Sequence, residues 1–443
     1  MPEIEQLFNE MNHVAAFHLV QKAEKYIAED PKFKELSSLV STKFTILTDP
    51  PGADIYLKEY ADIGGEWRFL GITPIDSIRM PRWTFYRWKI EKQGYETILA
   101  AAPTGFPGSL DTLYRTLHKT GEIPPDMVYV EGYGEETAGN YLSEKQGFFI
   151  DKYEVTNKQF KEFINNGGYQ NPDYWKHEFI KDEKTLSWEE AMNYFKDATG
   201  RSAPAAWQVG DYPDGKDDYP VTGISWYEAA AYAEYAGKTL PTANHWGSAA
   251  GYYVQPYSYW AGSNLIPLSN FRGNGPEPIG SSQAINYFGV YDIIGNVREW
   301  CWNKTQDGRI IRGGAWNDVT YLSTNLSQLP TFNRSEKNGF RCVLYLDNDQ
   351  IPEQAFQSIK FNVQRNFYNE EPVPEAEFQI FKKQFLYDKA ELNAEIQERD
   401  ENPEDWIVEK ISFNAAYENE RMIAYLFLPK NSTPPYQTVI FFP

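Results

Sequence analysis

From residue 3 to residue 36, apolar residues recur at helical spacing. Leu7, Met11, Val14, Ala15, His18 and Leu19 share one stripe. Asp30-Pro31 restarts the pattern before Phe33 and Leu36, which predicts a helical lead-in over 1–41. From Thr42 to Ala102 the period changes to two. Phe44 and Ile46, then Ile55 and Leu57, alternate with polar residues around the turn Asp49-Pro50-Pro51-Gly52, and Trp83 to Ile90 is strand-rich. A small β-domain is predicted over 42–103, and a linker over 104–126 that ends at Pro124-Pro125. Met127 to Val130 and Phe148 to Thr156 read as further strands. Thr156-Asn157 starts a helix through Phe160 and Phe163, and Gly167-Gly168 ends it. Ser187 and Glu190 form a capping-box pair before a helix to Phe195. A second capped helix, Trp226 to Ala236, is closed by Gly237. The hundred residues before 346 read as mostly irregular. Residues 347–405 are an acidic, partly helical linker with a helical stretch near Ala376 to Leu392. Within 406–443, Val408 to Phe413 and Met422 to Leu428 read as a hairpin, and Thr438 to Phe442 as a buried strand.

Two flanking regions carry family resemblances. Pro51-Gly52-Ala53, Gly71-x-Thr73-Pro74 and Lys92-x-Gly94-Tyr95 resemble a PEGA domain, a small β-module that implies a surface spacer without chemistry. The segment 406–443 resembles the opening strands of an α/β-hydrolase. No G-x-S-x-G string occurs in the chain, so the nucleophile elbow of that fold is missing and hydrolase activity is not expected.

Composition narrows the classes. The 443 residues correspond to roughly three domains. A net charge of −20 argues against a nucleic-acid binder or a protein docked on anionic lipid, and it suits cationic partners, divalent cations or simple solubility. No apolar run is long enough to span a bilayer. The acidic, amphipathic start does not read as a signal peptide. The expectation is a cytoplasmic protein or a piece of a longer one, extracytoplasmic if the parent is membrane-anchored. Cys301 and Cys342 are the two cysteines, too few for a disulfide framework or a four-Cys zinc site. The five histidines lack a ligand-like spacing, with His13 and His18 five apart. An aromatic share of 16% points to a loop-rich fold held by ring packing, or to a ligand groove.

Between 127 and 346 several strings occur in order: Glu154-Val155-Thr156-Asn157, Pro220-Val221 with Ile224-Ser225-Trp226, Lys238-Thr239-Leu240-Pro241-Thr242, Tyr291-Asp292 through Glu299-Trp300, Arg312-Gly313-Gly314-x-Trp316, and Gly339-Phe340-Arg341. Together they resemble the formylglycine-generating-enzyme (sulfatase-modifying factor) family. The fold implied is α+β, a large C-type-lectin-like variant with little regular secondary structure.

That resemblance implies a site with its chemistry changed. The family's oxidases bind copper(I) through two cysteines, a soft-ligand choice. Their positions carry over to Asp318 and Ser323, and neither is cysteine, so copper and formylglycine generation are not expected. Cys301 and Cys342 read as buried small hydrophobes. A structural calcium is implied at Asp292, the carbonyls of Gly295 and Val297, and Glu299, a hard-oxygen set. The competing reading is that Asp292 caps a turn and Glu299 makes an ion pair. Asn270 belongs to a second family calcium site whose remaining ligands fall in a shortened stretch. Arg312 and Arg341 read as ties between loops or as carboxylate binders. His245 stands where the family has an acidic stretch and reads as a satisfied core histidine. A groove is expected near Arg312, Trp316, Asp318, Ser323, Arg341 and His245.

The reading that follows is a non-catalytic, calcium-stabilised recognition or scaffold module in a larger multidomain protein, one with kinase-containing architecture. Its ligand would be a protein, peptide or glycan, and no catalytic residue is assigned. The alternative is an oxidoreductase with a non-cysteine metal site formed by Asp318, His245 and Cys301.

Overall fold

The computed structural model describes residues 1–106, 111–132, 147–252, 261–347, 351–361, 368, 370–386, 391–416 and 420–441. The chain divides into two compact units, Met1–Phe361 and Asn362–Pro443.

The lead-in is three helices, Pro2–Asn9, His13–Ile27 and Pro31–Val40. The side chains of Asn12 and Asp30 cap the second and third by accepting from the backbone N–H groups of Ala15 and Phe33. Ile4, Phe17, Val20, Phe33, Leu36 and Val40 bury together as a small core of their own.

The β-module is a pair of sheets. Ser41–Asp49 lies between Ile75–Pro81, antiparallel, and Thr112–Thr116, parallel. The second sheet runs Arg68–Ile72, Asp54–Glu59, Thr84–Glu91, Ile98–Thr104. The region read as a linker over 104–126 therefore supplies a strand. Leu113 and Leu117, both buried, anchor it, and its partner lies too far back in sequence for a local pattern to reveal the pairing.

This module is not a free-standing spacer. Phe44, Ile55 and Trp88 belong to the same buried cluster as Trp246, Ile285 and Val290 of the central domain. Polar contacts reinforce the junction. The Tyr60 hydroxyl donates to the Ile285 carbonyl at 2.8 Å, Arg87 Nη2 to that of Gln283 at 2.9 Å, and Arg115 Nη2 to that of Tyr287 at 2.5 Å. Ala101 N–H donates to the Asn286 carbonyl at 2.9 Å. Gly289 makes the approach possible. Its φ is +89°, and a Cβ there would lie 2.4 Å from the Leu99 carbonyl oxygen.

In the central domain the predicted helices form as Asn157–Asn165, Trp188–Met192 and Trp226–Tyr235, each with a complete capping box. A further helix, Ala243–Ala250, is capped by Thr242. The stretch read as irregular holds a four-stranded sheet in the order Ser327–Leu329, Arg309–Arg312, Arg298–Lys304, Asn338–Gly339. Phe148–Asp151 pairs with both Met127–Val130 and Val343–Tyr345, joining the start of the domain to its end. An aromatic core contains Phe160, Phe163, Phe195, Trp207, Trp226 and Trp300.

In the second unit a helix, Glu375–Lys383, precedes an antiparallel sheet of Glu395–Asp400, Trp406–Asn414 and Arg421–Pro429. The hairpin is as read from the sequence. The first strand lies inside the acidic segment taken as linker. The apolar run after Pro435 is not a buried strand: Val439, Ile440 and Phe441 are 86%, 73% and 85% exposed. An apolar run signals a preference for burial but does not create the surface to pack on. Phe442 and Pro443 lie outside the described residues, as do 387–390 at the end of the predicted helical stretch. Among the described residues no helix is long and apolar enough to cross a membrane.

Two predictions follow from this packing. Gly289→Ala lowers unfolding free energy by about 2–4 kcal/mol, whereas Gly215→Ala, at φ +76° with open space around its Cβ, lowers it by about 1 kcal/mol. Denaturant titration of tryptophan fluorescence measures both, and equal losses would remove the junction argument. His177 packs on Trp226 and Trp302 at 4.8 and 5.0 Å. Burial first, then the Arg309 charge, depress its pKa to about 4. Its neutral form therefore stabilises the fold fully above about pH 6.5, and that contribution is lost as pH falls through 4. With solvent screening discounted it amounts to about 2 kcal/mol. His177→Phe should flatten stability against pH across that window.

Candidate functional site

The parallel pairing of Arg298–Lys304 with Asn338–Gly339 sets Glu299 opposite Gly339. A Cβ on Gly339 would meet Val297 Cγ2 at 2.7 Å and the Val221 carbonyl at 3.0 Å, so glycine lets the strands close up. Arg341, two residues on, then meets Glu299. Arg341 Nε donates to Glu299 Oε2 at 2.8 Å and Nη2 to Oε1 at 2.7 Å. Both side chains are 0% exposed. Nη2 also donates to the Tyr291 carbonyl at 3.0 Å, and Nη1 to those of Asp151 and Lys152 at 3.1 and 3.3 Å. These contacts use all five guanidinium donors. Glu299 Oε2 accepts a further bond from Trp246 Nε1 at 2.7 Å.

Two more buried carboxyls lie nearby. Asp292, in the left-handed region at φ +53°, accepts from Gly280 N–H at 2.6 Å and from the Ser282 hydroxyl. Glu154 Oε1 accepts from Asn296 Nδ2 at 3.0 Å, while its Oε2 has no hydrogen-bond partner. Burial, then the Asp292 charge, raise the Glu154 pKa well above the usual carboxylate range, and Arg341 opposes the rise. Three buried carboxyls thus face one guanidinium. Gly295 (φ +81°) and Val297 lie in the buried turn between Asp292 and Glu299. Asn270 is also buried and donates to the Gly275 carbonyl and to Asn296 Oδ1. Asp292 and Glu299 thus make the local contacts of the competing sequence reading. Asp292 still has an open acceptor position on each oxygen, and Glu299 has one on Oε1.

Asp318 and Ser323, singled out from the motif spacing, have different surroundings. Asp318 forms a bidentate pair with Arg298, both contacts at 2.7 Å, and accepts from Ala315 N–H at 2.9 Å. Ser323 is buried in the turn Thr320–Thr324. Cys301 and Cys342 are free and buried, and they sit in different cores. Burial raises both thiol pKa values and so favours the protonated form.

The residues expected to line one groove are not gathered in one. Arg341 and His245 are fully buried. Arg312 is buried, donates to the carbonyls of Ala243 and Thr324, and lies over the rings of Trp246 and Tyr252. His245 Nδ1 is 2.6 Å from Thr242 Oγ1 and 3.0 Å from the Tyr345 hydroxyl. Trp316 and Asp318 remain nearer the surface. Asp318, His245 and Cys301 form no common site: among the described residues no group of three or more His, Cys, Asp or Glu side chains is placed to hold a metal ion.

Sequence reasoning missed Glu154, Asn296, Arg298 and Arg334. Arg334 pairs with buried Glu228 at 2.8 Å and donates to the carbonyls of Tyr194, Lys196 and Ala203. Glu228 lies in the helix read as capped, and nothing local marked its pairing with Arg334. Glu154 was legible only as part of a motif.

A domain whose last strand joins the sheet of its first two, closed by a buried Glu–Arg centre and capped helices, fits the class implied by the ordered motifs. The model of the sulfatase-modifying factor enzyme 1-like domain matches residues 117–346. The chain belongs to that family. It is 28% identical to inactive C-alpha-formylglycine-generating enzyme 2 of Bos taurus, over 44% of this chain and 76% of that protein. It is 30% identical to the formylglycine-generating enzyme of Thermomonospora curvata, over 44% and 81%. It is 27% identical to the serine/threonine-protein kinase pkn1 of Chlamydia caviae, over 44% and 33%. Among solved structures it resembles CarF at 19% identity and a TM-score of 0.35, over 51% of this chain and 99% of CarF.

Arg341→Met should lower stability by about 3–5 kcal/mol, because it leaves Glu299 buried without its cation. Arg341→Met combined with Glu299→Leu should recover part of that loss. Thermal and denaturant unfolding of the single and double variants measures the coupling, and additive losses would show that the pair is not a unit.

Proposed function

We propose that residues 117–346 are a non-catalytic recognition module, stabilised by calcium, within a multidomain protein. The observation that carries this is the ion pair of Asp318 with Arg298 at a position where the oxidases need a copper-binding thiolate. A carboxylate held by a guanidinium, with a buried serine at the second position, lacks the soft donors that bind copper(I). The inactive relative and the kinase relative are consistent with a domain of this family used without its oxidase chemistry. Recognition is assigned to the surface loop that follows Gly314. Val319, Tyr321 and Leu326 are exposed there, next to half-buried Trp316, and such a surface suits a protein, peptide or glycan.

Calcium is assigned to Asp292, Glu299 and the carbonyls of Gly295 and Val297. The excess of buried carboxyls over guanidinium and the open acceptor positions support this. The ion would supply charge neutralisation and loop closure.

Elemental mass spectrometry of the purified chain, with melting followed with and without chelator, tests the calcium. One bound calcium and a melting temperature lowered by several degrees on chelation are expected, with Asp292→Asn reducing both effects. Stoichiometric copper, or copper-dependent oxidation of a peptide cysteine, would overturn the non-catalytic reading. Cys301 and Cys342 should stay unlabelled by a thiol reagent in the folded protein, and both should react after unfolding.

A further inference from the structure

A cavity of about 540 Å³ lies where the β-module meets the family domain. Strands Ile98–Thr104 and Thr112–Thr116 contribute one side, and strand Met127–Val130 with the Phe288-Gly289 turn contributes the other. Its wall is mostly apolar, with Ile98, Leu99, Ile123, Met127, Val128 and Phe288. His118 Nε2 and Glu131 Oε2, on lining residues, are buried without hydrogen-bond partners.

Both lining side chains are held in place. Glu131 Oε1 accepts from Thr116 N–H at 3.3 Å, and the His118 ring packs edge-on against Tyr129 at 4.4 Å and Phe149 at 5.7 Å. Arg115, also in the wall, donates to the carbonyls of Tyr114 and Tyr287 and lies over the Tyr287 ring at 4.1 Å. Burial disfavours charge on both groups, raising the pKa of Glu131 against the pull of the Arg115 charge and lowering that of His118 against that of Glu122. An unpartnered buried polar atom is unfavourable. Two of them in an apolar cavity of ligand size, at a junction between modules, have the make-up of a small-molecule site.

We propose that this cavity binds a small organic cation, an ammonium or amidinium head on an apolar or aromatic body. The head donates to Glu131 Oε2 and His118 Nε2, and the body rests on Phe288, Met127 and Val128. The site is separate from the Asp318–Ser323 position and does not depend on the function proposed above.

Calorimetric titration of the full chain with benzamidine, and with its neutral near-isostere benzamide, tests this. Saturable binding of benzamidine at one site is expected, with benzamide at least tenfold weaker, about 1.4 kcal/mol. Glu131→Gln should lose that discrimination, and Val128→Trp should abolish binding by filling the space while the far-ultraviolet spectrum stays unchanged. If Glu131→Gln does not fold, His118→Ala takes its place and should weaken benzamidine about tenfold. Equal binding of the two compounds, no binding at millimolar concentration, or affinity untouched by these variants overturns the proposal.

Discussion

The ion pair between Glu299 and Arg341 is the constraint on which the central domain depends. A buried charge without a counter-charge is strongly unfavourable, so each partner makes the other tolerable. Arg341 donates to carbonyls on both sides of the domain, those of Asp151 and Lys152 and that of Tyr291, while Glu299 fixes Trp246 on the helix Ala243–Ala250. Two strands, a helix and the irregular segment at Tyr291 thus meet at one pair. The same logic recurs at Arg334 with Glu228 and at Arg312. Where a fold has few ladder partners for its backbone carbonyls, guanidinium groups supply the missing donors. A high share of irregular structure and a set of buried arginines are two aspects of one solution.

The junction with the β-module follows a similar rule. Arg87 and Arg115 reach across to the carbonyls of Gln283 and Tyr287, and Gly289 permits backbone to approach backbone. A spacer joined by a linker needs none of this. The shared buried cluster means that the family domain uses the module as one of its walls, so a change in one alters the packing of the other.

Much of the local structure was legible. A capping-box pair at Ser187 and Glu190 and the starts at Thr156 and Trp226 marked three helices, because caps depend on neighbours three residues apart. Two-residue alternation marked Ser41–Asp49 and Asp54–Glu59 for the same reason. Non-local relations were not legible. Glu299 and Arg341 were both singled out, yet nothing in a single sequence marks two residues 42 apart as partners. The strand Thr112–Thr116 was hidden because its parallel partner precedes it by more than sixty residues. The expected groove dissolved because arginine near glycine has two uses, ligand binding and carbonyl capping. Only burial tells them apart, and burial favours capping for Arg312 and Arg341.

Positions 318 and 323 sit apart from this framework. Asp318 touches Arg298, Lys337 and the backbone at Ala315, all close to its own loop or at the partly exposed edge of the sheet. None of the Arg341 contacts passes through it. A carboxylate there needs a nearby cation, and Arg298 supplies it in bidentate geometry. The framework built on Arg341 can therefore tolerate a change at this position. The contacts that close the domain run through Glu299, Arg341 and the capped helices, and the loop that carries Asp318 lies outside them.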